Sequence, residues 1–435
     1  MAPSLTSFDC LRLQRYITLP MIFGGSVAPN PRFWPWLVRH QTTGAMIQFL
    51  RGVRNKYGPR AWSWFPGGST LLVLDAAGIE EVLASEDTFA DPIIKRIELS
   101  TFTPDGVIIS RKAPWCTRRS LNVDALAFGE AQHPDGDAFV GIVDDAVRNM
   151  LEHRTEVLVW DDFNTLAARI SQQVIFGHGQ YREDLATQLA RLVTWSNWGI
   201  RHCSAFSAFY RRIDEQLNRS ARTANGRKSL VCRTASWLGA HPEATDAKAS
   251  SQIAFWLFVM KDAIELHTVR TLALIASAPE GVRRQLSGEL DRMGPPTAAG
   301  IVGLHFLEAC IKEALRLWTP VPILLRVALT HAELPGRVWV EKNQQILVHT
   351  GLYHRDSEVF GAAAETFSPG NSHAPLYVFS AHRQTCAGKF LVIFLLKAVL
   401  AALLTRTDVA LLDQSVPMDP VPAAINHFAL RFWRR

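Results

Sequence analysis

The sequence predicts a mainly α fold with small β-sheets, formed as a single domain over residues 1–435. Three observations predict it. Long stretches repeat apolar residues at helical spacing, notably 137–222, 249–277, 306–318 and 390–404. The strand-like runs, 61–65, 70–74, 336–349 and 410–435, supply only small sheets. No internal repeat, low-complexity tract or linker breaks the chain.

Composition bounds the function. Hydrophobic residues make up 48% of the chain, enough for a large core. The net charge of +6 is modest, and its basic clusters interleaved with aromatics are not organised enough to argue for nucleic acid, so no such partner is expected. The six cysteines (Cys10, Cys116, Cys203, Cys232, Cys310, Cys386) are scattered without a CxxC, which suits free thiols in a reducing, cytoplasmic compartment. A monomer is expected.

The elements follow in order. Residues 1–45 read as an N-terminal extension without a membrane anchor. The apolar run from Ile17 to Val27 is interrupted by Pro20 and Gly24-Gly25 and is too short to cross a bilayer. Phe33, Trp34, Trp36 and Leu37 are expected to pack on the body rather than make a surface contact. Two strands, 61–65 and 70–74, form a hairpin about Pro66-Gly67-Gly68, and Ala77–Ala84 forms a short helix. Residues 86–112 read as irregular. Trp115 and Arg119, at i and i+4, share a helix face in a basic region with Arg111, Lys112 and Arg118. Gly177-His178-Gly179 separates helices within 137–222. Trp195, Trp198, Phe206, Phe209 and Tyr210 are either core or the lining of a binding site. Residues 226–228 form a loop. The helix over 249–277 ends at Ala278-Pro279-Glu280, and 390–404, apolar on nearly all faces, is expected to be fully buried.

The stretch Phe379-Ser380-Ala381-His382-Arg383-Gln384-Thr385-Cys386-Ala387-Gly388 organises the rest. A cysteine just before a helix start, with Arg383 nearby, favours its thiolate. Ala387 and Gly388 let a flat group lie close to the backbone. Upstream come Glu313-Ala314-Leu315-Arg316, Pro320-Val321-Pro322, Arg326 and His354-Arg355-Asp356. An ExxR alone is common as a solvated ion pair, but these motifs in this order, from about Ala61 to the C-terminus, resemble the cytochrome P450 family.

The resemblance implies the cytochrome P450 fold and heme b (iron protoporphyrin IX). Cys386 would be the iron ligand, with Phe379 and Gly388 beside it and Trp115, Arg119, Arg326 and Arg383 serving the haem. Glu313 and Arg316 would be structural. Val259, Met260, Val321 and Ile323 would line an apolar substrate pocket. On the central helix, counting back from Pro279 puts the family's acid at Asp262 and its threonine at Ala263, with Met260 in the glycine position. Aligning Thr268 instead needs a slip of five residues, about 140° around the helix, and hence a bulge. Three further departures appear. Thr366 stands where a second arginine completes the Glu–Arg network, with His373 or Arg355 as substitutes, and His382 and Gln384 replace a glycine and a basic residue of the cysteine loop.

Thiolate ligation favours O–O cleavage. The leading expectation is monooxygenation of a small apolar molecule, such as a terpenoid, steroid or aromatic natural product. Electrons would come from a ferredoxin or flavodoxin-type partner, since the chain has no reductase segment. Ala263 motivates an alternative: peroxide-driven oxidation, oxidative coupling, isomerisation or cyclisation. The peroxygenase version is disfavoured, because Asp262-Ala263 occupies the place of its Arg-Pro pair. Accumulated motif losses motivate a non-catalytic binding protein, against which the retention of Cys386, Glu313 and Arg316 counts.

Overall fold

The structure, a computed structural model, describes residues 2–25, 27–85, 88–153, 156–222, 228–334, 336–371, 374–412 and 415–434. The chain divides into two compact units, each threaded from separate stretches. The first comprises Met1–Lys95, Lys312–Cys386 and Val416–Phe428; the second comprises Arg96–Ile311, Ala387–Ser415 and Ala429–Arg435. In chain order the strands are β1 (Arg60–Phe65), β2 (Gly68–Val73), β3 (Phe89–Ala90), β4 (Val157–Leu158), β5 (Ile323–Ala328), β6 (Ala332–Leu334), β7 (Val338–Val340), β8 (Gln345–His349), β9 (Val409–Leu411) and β10 (Phe432–Arg434).

The first unit is built on a five-stranded sheet in the order β1-β2-β8-β5-β3, with β6 and β7 as a separate ribbon. The expected hairpin is present: β1 and β2 pair antiparallel from Arg60↔Val73 to Phe65↔Gly68. β2 then pairs parallel with β8, and β5 runs antiparallel to β8. Alternate residues enter different cores. Leu71, Val73, Ile346 and Val348 join one apolar cluster, and Leu72 and Leu347 join another. Both faces of the sheet are therefore buried, which explains why these strands read as apolar runs.

The N-terminal reading needs correction. Ser7–Gly24 is helical throughout, with a π turn at Gln14–Thr18 just ahead of Pro20. Proline lacks the N–H that the regular ladder needs, and a widened turn accommodates it. Gly25, at φ +92°, ends the segment. Of the four residues expected to pack, Trp34 donates its indole N–H to the Ile425 carbonyl (3.1 Å) and Leu37 is buried, whereas Phe33 and Trp36 are exposed. Residues 88–112 are more ordered than expected: Ile93–Ser100 is a helix behind Pro92, and a 3-10 turn spans Val107–Ile109. Residues 86 and 87, and 226 and 227 of the expected loop, lie outside the described residues.

The second unit is mainly helical, with β4, β10 and β9 as a small sheet. Helices Gly136–His153, Trp160–Phe176, Glu183–Ser196 and Cys203–Arg222 fill the stretch that read as helical. Gly177, at φ +109°, makes the expected break. The central helix Ala249–Ser277 is α-helical over all its 29 residues and packs on Trp160–Phe176. Lys389–Leu404 is buried on nearly all faces. Lys397 is the exception in kind: buried, it donates to the Val302 carbonyl (2.8 Å) and pairs with Glu308 (2.9 Å).

Candidate functional site

In the first unit the cysteine loop is held from both ends. The Cys386 N–H donates to the Phe379 carbonyl (2.8 Å), and the Thr385 N–H donates to the His382 carbonyl (3.1 Å). Cys386 itself is exposed and in no disulfide. His382, in the family's glycine position, sits at φ +52°, and Ser380 at φ +59°. That backbone region costs an L-residue about 1–2 kcal/mol. Glu80, on the helix Ala76–Ala84, secures the conformation. One oxygen meets the His382 ring at 2.5 Å and the other accepts from the Tyr377 hydroxyl at 2.6 Å. The Tyr377 bond holds the Glu80 carboxyl below its usual range. Nothing in the sequence marked Glu80, because it lies some three hundred residues from the loop it clamps.

Glu313 and Arg316 form a buried bidentate pair on the helix His305–Leu317, at 2.8 and 2.7 Å. The guanidinium also donates to the carbonyls of His354, Ala363, Ala364 and Thr366, between 2.6 and 3.1 Å. The Ser368 N–H donates to Glu313 at 3.0 Å. Backbone groups thus stand where the family has a second arginine. Arg355 is bonded elsewhere, to Glu365 at 2.6 Å and to the carbonyls of Leu317, Val421 and Pro422. His373 lies outside the described residues. His354 ties this network to the loop: its Nδ1 meets the Thr319 hydroxyl (2.9 Å) and its Nε2 accepts from the Tyr377 N–H (3.1 Å). Burial lowers its pKa to about 3, so it is neutral, as an accepting nitrogen requires.

Arg326 is buried on β5. It donates to Asp91 (3.1 Å), to its neighbour's carbonyl (3.0 Å) and to Gln384 of the cysteine loop (3.3 Å). Arg383 is exposed, Phe379 and Gly388 are half-buried, Val321 is exposed and Ile323 half-buried.

In the second unit, Trp115 and Arg119 are half-buried on the helix Lys112–Ala125, with Arg119 over the Phe128 ring at 5.0 Å. Arg118 between them is structural: buried, it bonds Asp105, Ser110 and the Asp246 carbonyl. The N-terminal turns of the central helix grip residues 102–107. Gln252 bonds Asp105 and Val107, and the Ser251 carbonyl accepts from Thr103. Tyr210 donates to the Phe102 carbonyl at 2.9 Å. Among the aromatics read as core or lining, Phe209 is core and Trp195 and Trp198 are exposed.

Farther along the central helix, Met260 is buried and Val259, Asp262 and Ala263 are half-buried. The unbroken helix leaves Thr268 without the bulge that would turn it to the face of Ala263. Sequence reasoning missed the polar band here. Lys261 pairs with Glu265 at 2.6 Å. Burial, opposed by Lys261, raises the Glu265 pKa to about 7, and burial raises Asp262 as well. Burial also lowers His267 to about 3 and Arg270 to about 10.

These residues fit a haem. Cys386 presents an exposed thiol at a loop–helix junction, and the loop bonds a buried arginine, Arg326, that suits an anionic cofactor. Among the described residues no three His, Cys, Asp or Glu side chains converge as a metal cage. A single thiolate suits an iron that brings its own equatorial ligands.

The family model "Cytochrome P450" matches residues 25–204 and 271–429, most of the chain. The unmatched stretch between them contains Asp262 and Ala263. The chain is 30% identical over 159 residues to cytochrome P450 4c3 of Drosophila melanogaster, covering 33% of this chain and 29% of that protein. It is 30% identical over 157 residues to the chloroplastic carotene epsilon-monooxygenase of Arabidopsis thaliana, covering 33% and 28%. The chain thus spans less than a third of the length of these two relatives. A longer match, at 21% identity over 388 residues, covers 79% of this chain and 78% of the probable cytochrome P450 313a1 of Drosophila melanogaster. The crystal structure of a cytochrome P450 (CYP102L1) superposes with a TM-score of 0.72 at 17% identity, over 90% of this chain and 98% of that one. The retinoic acid-bound cyanobacterial CYP120A1 gives 0.72 at 16%, over 89% and 94%. With the ordered motifs, the fold and the family model in agreement over most of its length, the chain belongs to the cytochrome P450 family.

Proposed function

We propose that the protein is a haem-thiolate monooxygenase that oxidises a small apolar molecule, of terpenoid, steroid or aromatic type, with O2 and electrons from a separate ferredoxin or flavodoxin-type donor in the cytoplasm. The observation that carries the reading is the exposed Cys386 thiol on a loop locked by Glu80, Tyr377 and His354 to the buried Glu313–Arg316 pair. When bound, the haem would supply oxygen activation, with Cys386 as its iron ligand. Arg326, Arg383, Trp115 and Arg119 would hold the propionates, and Phe379 and Gly388 would flank the thiolate. Val259, Met260, Val321 and Ile323 would favour an apolar substrate by shape. Asp262 would hold a proton on its carboxyl oxygen. Ala263 carries no hydroxyl to fix a water beside it, so a polar group of the substrate fills that place.

The test is the reduced, carbon monoxide-treated protein, which should show the red-shifted Soret band of thiolate ligation. A Cys386→Ser protein that keeps this band would overturn the assignment. Ala263 also favours a second reading, haem-thiolate chemistry other than monooxygenation. Product formed with peroxide, or with no oxidant, but not with O2 and a redox partner would select it.

A further inference from the structure

The N-terminal helical segment of the first unit is apolar on two opposite sides. Inward, Leu13 and Ile17 are fully buried in one of the unit's cores. Outward, Phe8 (68% exposed), Leu11 (69%), Leu19, Ile22 and Phe23 face solvent. Their spacing of three, four and eight residues makes one stripe along Ser7–Gly24, a length of about 27 Å at the α-helical rise. The stripe continues beyond the helix. The Phe23 ring packs on Phe33 at 5.5 Å, and Trp36 follows, 54% exposed. Contiguous apolar surface of this kind marks an interaction site.

The charges around it have one sign. Residues 1–41 contain four arginines (Arg12, Arg15, Arg32, Arg39) and one acid, Asp9. Asp9 is buried and neutralised by Lys56 at 2.9 Å. Arg15, Arg32 and Arg39 are exposed, and Arg12 lies over the Phe8 ring. The Arg12 guanidinium also lies over the Tyr16 ring and pairs with Asp9 at 3.7 Å. Arg15, Arg32 and Arg39 are therefore the exposed cations beside the stripe, an arrangement that suits a boundary between apolar and anionic matter.

We propose that this face seats the protein on an anionic lipid surface, with the stripe sunk among the headgroups and the arginines on lipid phosphates and carboxylates. Charge complementarity selects the occupant. Interfacial helices combine an apolar face with basic residues, and the cytoplasmic leaflet of a membrane is anionic. The face is a convex helix, which a flat and fluid surface covers without a shaped partner. The helix lies on the membrane rather than across it: among the described residues no helix is long and apolar enough to span. This inference is independent of the haem chemistry.

The experiment is co-sedimentation of the full chain with phosphatidylcholine vesicles, with and without phosphatidylserine. Wild type should sediment with the mixed vesicles and far less with pure phosphatidylcholine. Ile22→Asp with Phe23→Asp should weaken binding at least about tenfold while leaving the melting temperature and haem spectrum intact, because both side chains are exposed. Arg15→Glu and Arg39→Glu should each weaken it about fivefold or more, on the mixed vesicles only. Wild type left in the supernatant with both vesicles, or variants that bind as wild type does, would overturn the proposal. So would a dimer on size exclusion that Ile22→Asp dissolves without any vesicle binding, which would assign the face to a second copy of the chain.

Discussion

The cysteine loop with its Glu313–Arg316 anchor and the polar band of the central helix both bury charge, and they do so in opposite ways. At the anchor the buried side chains are tied to backbone: Arg316 alone reaches four carbonyls, and His354 accepts the Tyr377 N–H on one ring nitrogen while the other meets the Thr319 hydroxyl. Such a network fixes a shape. On the central helix, Asp262, Glu265, His267 and Arg270 lie within three turns, and burial moves each away from its usual protonation range. Within this band Glu265, pushed up to about 7, can hold or release a proton near neutral pH. The difference separates position from protonation, and each region can be tested for the property the other lacks.

The largest effect should follow from breaking the anchor. Arg316→Ala leaves Glu313 buried without its partner and orphans four carbonyls, at a cost of about 3–5 kcal/mol. Denaturant unfolding should show that loss, together with poor haem retention, whereas Asp262→Asn should cost far less. Equal losses would erase the contrast.

Next comes the clamp. Glu80→Ala removes the acceptor for Tyr377 and the partner of His382, and should cost about 1–2 kcal/mol. In that background His382→Gly should recover about 1 kcal/mol, because glycine adopts φ +52° without strain. In wild type the same change should gain less, since it also removes the Glu80 contact. A double-mutant cycle on thermal melts measures the coupling, and a coupling of zero would show that Glu80 does not hold the loop.

Much of this was legible. The order of motifs pointed to the family, and helical and strand periodicity gave the hairpin, the central helix and the buried helix after Cys386. What escaped was long-range. Glu80 is an ordinary helix glutamate until the fold brings Tyr377 and His382 to it. The donor that a second arginine would bring to Glu313 comes instead from the Ser368 N–H, a backbone group that carries no sequence signature. The band around Glu265 carries no sequence signature, because a lysine and a glutamate at i, i+4 are ordinary on a solvated helix face and only tertiary burial sets Lys261 and Glu265 apart.

That burial gives the third prediction, on pH. A carboxyl whose folded pKa lies above its unfolded value binds its proton more tightly when folded. Its contribution is complete below about pH 4.5 and is lost as pH rises toward about 7. Wild type should therefore lose on the order of 2 kcal/mol over that window relative to Glu265→Gln, whose side chain does not titrate. Parallel stability curves for the two proteins would show that Glu265 ionises normally.

The smallest expected effect concerns Ala263. The central helix is α-helical from Ala249 to Ser277, so Thr268 stays about 140° from the Ala263 direction and cannot lend its hydroxyl there. Asp262, the adjacent residue, points about 100° away. On the proposed reading, the acid has no side-chain hydroxyl beside it to hold a water, and the substrate's own polar group does so. Ala263→Thr should then be nearly silent with the native substrate, and should slow it only if the larger side chain crowds the pocket. With analogues lacking the polar group it should raise the fraction of electrons recovered in product and lower peroxide release. Stability should fall by only about half a kcal/mol, the helix-propensity difference between the two residues. The measurement is product and peroxide per electron consumed, for native substrate and analogue in both proteins. If threonine improves both substrates equally, the substrate does not supply the missing group. If it improves neither while Asp262→Asn leaves product formation intact, the proton route does not run through this helix turn, and chemistry other than monooxygenation gains the stronger claim.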